Sequence, residues 1–499
     1  MIYDLLIIGG GVNGTGIARD AAGRGLSVAL CEMGDFAQGT SSKSSKLVHG
    51  GLRYLEYYEF RLVREALIER EVLLASAPHI IWPLRFLLPH SPEQRPAWMV
   101  RLGLFLYDHL GGRKVLPASR GLRLDAVPEG AALKPQFQLG FEYSDCWVDD
   151  ARLVVLNALD AAERGARMMP RTKLTAARRE GGRWLADLVA EDGTPFTVEA
   201  KALVNAAGPW VDEVLGLGLG QDQGALVRRV KGSHIIVPKF IDGERAFILQ
   251  NDDKRVIFVI PYEGDLALIG TTDITLDAHQ QADAITDDEI DYLLAAVNRY
   301  FMKQLTRADI RATYAGVRPL HEDHAASASA VSRDYVLDVK TQDGAVPVLS
   351  VFGGKITTFR RLAEHALVQL QPWFPQMTAP WTAKAHLPGG DMPGADFAGF
   401  LQKLAVQYPW LPDAMTLHFA RLYGTRAQGL IGSATSMADL GQHFGGTLFE
   451  LEIRFLVAQE WARTGEDIMK RRTKHYLRLS ADEQAAVAAF VAGLVKAQG

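Results

Sequence analysis

The chain has 499 residues, 48% of them hydrophobic and 22% charged, with a formal net charge of −4. That length allows about two to four domains and cores large enough to need no disulfide staples, while so small a net charge argues against a nucleic-acid partner held by bulk electrostatics. The two cysteines, Cys31 and Cys146, lack metal or redox spacing and read as small buried residues of a reducing compartment.

The first predicted strand, residues 4–8, begins too close to Met1 to leave room for a signal peptide. No apolar run reaches the ~18–20 residues of a spanning helix. The expectation is a chain that starts in the cytoplasm and does not cross a bilayer, although it can lie on one. Residues 5–8 predict a central parallel strand. A glycine turn follows at residues 9–14, then a helix over 15–24 that Gly25 ends. A second strand over 26–31 leads into Glu32. Residues 38–51 are polar and rich in serine, threonine and glycine, and residues 59–74 have helical spacing.

In the middle of the chain, apolar runs at 234–237, 246–249, 256–260 and 266–269 alternate with short turns and predict an antiparallel meander. Residues 202–210 and 348–355 each read as a short strand ending in glycine before a helix, as if returning to the first sheet. Beyond Pro380 the pattern becomes helical, with breaks at Gly424, Gly432 and Gly445-Gly446, and predicts a separate helical domain.

Three motifs carry chemistry. The turn matches G-x-G-x-x-G: Gly9 permits the tight bend, Gly11 lets backbone approach a pyrophosphate, and Gly14 lets helix pack on strand. The helix N-terminus with Val12 and Asn13 then faces phosphate, and Glu32 at the second strand's end can accept from a ribose diol. This predicts dinucleotide binding without separating FAD from NAD. In the second motif, Thr40-Ser41-Ser42-Lys43-Ser44-Ser45-Lys46-Leu47-Val48-His49-Gly50-Gly51-Leu52-Arg53-Tyr54, the alternative is a solvated loop. Against that, His49 and Arg53 sit among glycines that admit a ligand; a neutral histidine can take a hydroxyl proton and an arginine can hold a phosphate. The third comprises Arg318, Arg333 and Lys355. Taken singly, the arginines read as surface or ion-paired residues. Lys355 follows Gly353-Gly354 and opens a helix whose N-terminus adds positive potential.

Together these strings resemble the membrane-associated, aerobic bacterial FAD-dependent glycerol-3-phosphate dehydrogenases. The resemblance also runs through residues 140–150, Lys231-Gly232-Ser233-His234, Ile269-Gly270-Thr271-Thr272-Asp273 and Gly316-Val317-Arg318-Pro319-Leu320, and covers nearly the whole chain. It implies an α/β fold: a glutathione-reductase-like FAD domain from segments 1–75, 140–225 and 325–380, an antiparallel-sheet substrate domain from 76–139 and 226–324, and a helical domain over 385–499. It implies non-covalent FAD, hydride transfer from C2 of sn-glycerol 3-phosphate to the flavin, and membrane quinone as acceptor. His49, Arg53, Arg318 and Lys355 are the expected catalytic residues, and Arg53, Tyr54, Thr271, Arg318, Arg333 and Lys355 the substrate contacts. The cofactor residues expected beyond the glycine turn and Glu32 are Thr40, Ser41, Ser42, Ser45, Lys46, Leu47 and His49, then Ala207, Gly208 and Trp210, then Gly353, Gly354, Lys355, Ile356 and Thr357.

Residues 97–107 are apolar and aromatic with basic flanks, the composition of an interfacial helix as well as of a core helix; the resemblance favours peripheral attachment to the cytoplasmic face of the inner membrane. The helix after Lys355, with Trp373-Phe374, is a second candidate. The cluster Lys470-Arg471-Arg472-Thr473-Lys474 reads as a lipid or partner contact, or more commonly as a solvated helix face. A homodimer is the expected assembly and no metal is expected. A glycerol-3-phosphate oxidase, a D-amino-acid or glycine oxidase, and a non-catalytic flavin-binding protein are the rival readings.

Overall fold

A computed structural model describes residues 1–91, 93–219, 227–253, 255–277, 283–321, 334–342 and 345–498. The opening apolar run forms β1 (Ile2–Ile8), buried at every residue but the first. After the glycine turn come α1 (Val12–Gly23) and β2 (Val28–Cys31), which lies parallel to β1 with Leu5 opposite Val28. Both expected returns occur. Strand Pro195–Asn205 lies parallel on the other side of β1, and Ala345–Phe352 lies parallel beyond it. Helices α1, Asp150–Glu163 and Phe359–Leu370 cover one face of this sheet, and strands Lys173–Glu180 and Arg183–Val189 with residues 211–219 cover the other; burial on both faces is why its central strands read as unbroken apolar runs. Among the described residues the sheet has eight strands.

A second sheet has ten strands among the described residues. Strands Ala246–Gln250, Val256–Tyr262 and Leu266–Gly270 form the expected meander. The strand before them, Val227–Pro238, departs from it. Its link to the next strand, residues 239–245, is too long for a two-residue hairpin, and it pairs instead with the meander's far edge and with Ala312–His321. Strand Leu139–Val148 also belongs to this sheet. It pairs along its whole length with Ile81–His90, from Ile81 opposite Val148 to His90 opposite Leu139, although the expected division gave residues from 140 onward to the cofactor-binding segments.

The C-terminal segment is mainly helical, with an apolar core that includes Leu404, Phe419, Ile453, Leu456 and Val487. Gly424 and Gly432 stop its helices with φ of 54° and 58°, a conformation that disfavours most other residues. Cys31 and Cys146 are buried free thiols.

Two surface expectations are corrected. Helix Phe359–Leu370 buries Phe359, Arg360, Leu362, Ala363, Ala366 and Leu367, and Arg360 is bound to Glu69 and Glu364; its apolar face belongs to the core. In the basic cluster, Arg471, Arg472 and Lys474 are buried and paired with Asp35, Asp467 and Asp149. Charges so paired face protein rather than solvent or lipid. Helix Ala97–Leu110 buries only Leu104 and Tyr107 and exposes Trp98, Met99, Leu102 and Phe105. Among the described residues, no helix is long and apolar enough to cross a membrane.

Candidate active site

The site begins at the carboxyl end of β1, where Gly9 has φ of 112°. A Cβ there would lie 2.5 Å from the Ala206 carbonyl oxygen, and a Cβ on Gly14 would lie 1.9 Å from the Gly9 carbonyl oxygen. Both glycines therefore serve packing of turn, helix and neighbouring strand. At Gly11 a Cβ would meet only Ser41 Oγ, at 3.2 Å, so this face is open to a ligand. The Val12 amide donates to Ser41 Oγ at 3.0 Å. Glu32 accepts from the Gly10 and Gly34 amides at 2.6 and 2.8 Å, and burial pushes its pKa up against those two bonds.

Chain segments remote in sequence close around this cradle. Asn13 Nδ2 donates to the Gly353 carbonyl at 3.2 Å, and Asn13 Oδ1 is buried with no hydrogen-bond partner. Gly353 and Gly354 take φ of 73° and 97°, and Lys355 then caps the turn containing Ile356 and Thr357. Ala207 and Gly208 follow the strand beside β1, and the Trp210 ring lies against Gly39. The open Gly11 face and the helix N-terminus suit a dinucleotide pyrophosphate.

The polar segment after β2 is not a solvated loop. Thr40 Oγ1 donates to the Val317 carbonyl at 2.5 Å, and Ser45 Oγ meets the buried His234 Nε2 at 2.9 Å. Lys46 is buried and paired with Asp150 at 2.8 Å; it also reaches the Ser42 carbonyl. Its side chain braces the segment, and Leu47 lies in the strand that follows.

His49 is gripped by its backbone. Its amide donates to Thr357 Oγ1 at 3.1 Å, and Thr357 Oγ1 donates back to the His49 carbonyl at 3.2 Å. The imidazole packs edge-on to Phe258. Burial lowers its pKa, with Lys355 and Arg70 acting in the same direction and Asp145 opposing them. Gly51, with φ of 77°, lets Tyr54 fold back, and the Lys355 ammonium sits 3.6 Å from the Tyr54 ring centroid, a cation–π contact. Arg53 donates to Tyr57 Oη at 3.2 Å.

Arg318 meets Thr271 Oγ1 at 3.0 Å and also pairs with Asp273. A Cβ on Gly232 would lie 2.5 Å from this guanidinium. One edge of Arg318 is thus taken by a carboxylate, and it is not a bare anion receptor. Arg333 lies outside the described residues.

Three residues beneath the site were not anticipated. The Gly50 amide donates to Tyr107 Oη at 2.8 Å, Tyr107 donates to Asp145 at 2.8 Å, and Arg70 donates to Asp145 at 2.8 Å. Asp145 lies within the 140–150 string, and a carboxylate beside Cys146-Trp147-Val148 in a buried strand is the one signal that marks it.

Residues 4–358 match the family model described as FAD dependent oxidoreductase, and residues 380–498 match the C-terminal domain of alpha-glycerophosphate oxidase. The chain is 58% identical over 484 residues to a D-erythritol 1-phosphate dehydrogenase of Brucella abortus, covering 97% of this chain and 96% of the relative. It is 54% identical over 483 residues to a glycerol-3-phosphate dehydrogenase of Pseudomonas aeruginosa, covering 97% and 94%. The structure of a glycerol-3-phosphate dehydrogenase from Bacillus halodurans complexed with FAD is similar at a TM-score of 0.79 and 28% identity, covering 99% of this chain and 91% of that one. With a cradle of the right shape and a family match over most of its length, the chain belongs to the FAD-dependent oxidoreductases, and its cofactor is FAD.

Proposed function

We propose that this enzyme oxidises the secondary alcohol of sn-glycerol 3-phosphate to dihydroxyacetone phosphate and passes the electrons to membrane quinone. The observation that carries the reading is the gathering of His49, Lys355 and Tyr54 beside the glycine cradle, in a chain whose relatives over 97% of its length bear the names of polyol-phosphate dehydrogenases.

FAD, when bound, supplies the acceptor for the C2 hydride. The protein's own residues manage the proton and the charge. Neutral His49 takes the C2 hydroxyl proton as the carbonyl forms. Lys355 and Arg318 set a positive field for the phosphate, with Arg333 and Arg53 as further anchors. Thr271 and Tyr54 offer hydrogen bonds to the substrate.

A longer substrate is a second reading, favoured by the 58% identity to the D-erythritol 1-phosphate dehydrogenase. Anaerobic addition of each phosphate to the flavoprotein tests both. Bleaching of a flavin band near ~450 nm by glycerol 3-phosphate, with the higher kcat/KM, is the expected result. A flavin bleached only by erythritol 1-phosphate moves the substrate one carbon longer, and one bleached by neither defeats the reading. Peroxide formed in air in step with turnover points to an oxidase, and ammonia release to the amine oxidases.

Attachment to the cytoplasmic face of the inner membrane belongs to the same proposal. Trp98, Leu102 and Phe105 are 65, 50 and 51% exposed on one helix, and Tyr58 is 80% exposed nearby in sequence to Arg53. Apolar bulk beside Arg95, Arg113 and Lys114 suits the headgroup boundary. The triple variant Trp98→Ser, Leu102→Ser, Phe105→Ser is expected to lower sedimentation with anionic vesicles by more than about tenfold, with turnover on a soluble dye retained. Undiminished sedimentation would remove this face from consideration. A homodimer is part of the reading, and light scattering of the detergent-solubilised protein measures it.

A further inference from the structure

The basic cluster that proved to be buried has a specific target. Asp35, 1% exposed, is the third residue after Glu32. It accepts from Arg471 Nε at 2.6 Å and from both terminal nitrogens of Arg472 at 2.6 and 2.9 Å. Asp467 pairs with Arg471 and accepts from Arg171 at 2.5 Å. Phe36 packs edge-on against Trp461, with ring centroids 5.3 Å apart. All of these partners except Arg171 come from the C-terminal unit.

What they hold is the wall of the cofactor cradle. The Arg171 amide donates to the Gly34 carbonyl at 2.8 Å, and the Thr172 amide to the Glu32 carbonyl at 2.7 Å. The Ala37 amide donates to the Gly10 carbonyl at 3.1 Å, and Glu32 itself bonds the Gly10 and Gly34 amides. The 32–38 turn is therefore fixed to the glycine turn on one side and to Asp467, Arg471 and Arg472 on the other. Buried charge-assisted bonds of this kind have discrete geometry and lose much when one partner leaves.

We propose that the C-terminal unit is a latch on the adenosine end of the FAD site, with Asp467, Arg471 and Arg472 as positioning residues that keep the 32–38 turn in the shape that binds the ribose. The inference rests on the assignment of Glu32 to the ribose and is independent of the substrate. It makes the C-terminal unit a determinant of cofactor retention.

The test measures FAD affinity of the full-length protein by flavin fluorescence, with thermal unfolding alongside. Arg471→Met leaves Arg472 on Asp35, and is expected to raise the FAD Kd by about 5- to 150-fold, the usual range for coupling between sites, while KM for substrate at saturating FAD holds. Arg171→Met, on a partly exposed side chain, gives the same direction with less risk to folding. Lys474→Met breaks a different pair, with Asp149, and is expected to change stability without changing the FAD Kd. An unchanged Kd in both arginine variants overturns the latch. An equal rise in Lys474→Met overturns it too, since general loosening would then explain the effect. Glu32→Gln separates the underlying assignment: if it leaves FAD affinity intact, the ribose role fails, whereas weakened binding there with normal binding in both Arg471→Met and Arg171→Met rejects the latch alone.

Discussion

Replacing His49 by alanine is expected to lower turnover with glycerol 3-phosphate by about 10²–10⁴-fold, the usual worth of a placed proton acceptor, while the protein keeps its flavin. The two halves of this expectation have separate origins. The loop is held through the His49 amide and carbonyl by Thr357, and the imidazole touches a phenylalanine edge rather than a structural hydrogen bond. Removing the ring therefore leaves the backbone path in place. The proton is another matter. Burial lowers the His49 pKa from the ordinary 6.5, and Lys355 and Arg70 lower it further against the pull of Asp145. A base must be unprotonated to act, so activity rises with pH through that lowered pKa and is full above it. The acid limb of kcat/KM should lie below about 6.5 in the native enzyme and vanish in His49→Ala. Stopped-flow reduction of the bound flavin across pH measures both. A variant that retains FAD and is reduced at the native rate removes His49 from the chemistry.

The first strand, glycine turn and helix were legible because each depends on residues adjacent in sequence: an apolar run, three spaced glycines and the α1 spacing. The two returning strands were legible for the same reason. Strand Val227–Pro238 escaped because nothing local distinguishes a strand beside its successor from one that crosses to the far edge. Arg471 and Arg472 read as a solvated face because a basic run is buried only when carboxylates remote in sequence meet it, as Asp35 does here. The same limit applies to Arg318, whose value as a phosphate anchor depends on Asp273. Tyr107 lies on the inner side of a helix whose other residues read as membrane-facing, and its bond to Gly50 spans 57 residues. His49 and Lys355 stand out in the sequence because glycines follow the one and precede the other, and a glycine-rich approach leaves its mark in the sequence itself.

Asp145 should prove as important as the residues that face the substrate. Asp145→Asn removes the one carboxylate that raises the His49 pKa, so the acid limb of the pH–rate profile should move to lower pH. Its direction is diagnostic: a limb that moves up would mean that another group titrates, and a limb that stays would mean that His49 does not feel this charge. The same change strips a buried partner from Arg70, which otherwise keeps the Ser144 carbonyl at 2.8 Å and Glu71 at 3.5 Å. Because those partners remain, the loss should be smaller than the about 3–5 kcal/mol of an uncompensated buried charge, and denaturant unfolding should register it. Tyr107→Phe divides the two effects. It keeps the Asp145 charge and so should leave the limb in place, but it takes away the oxygen that accepts from Gly50 at 2.8 Å, leaving only Asp145 Oδ1 at 3.3 Å. The segment carrying His49 then loses its floor, and turnover should fall with no shift in pH dependence. If Tyr107→Phe shifts the limb as Asp145→Asn does, the hydroxyl is acting on the histidine electrostatically and the bracing of Gly50 is not its role.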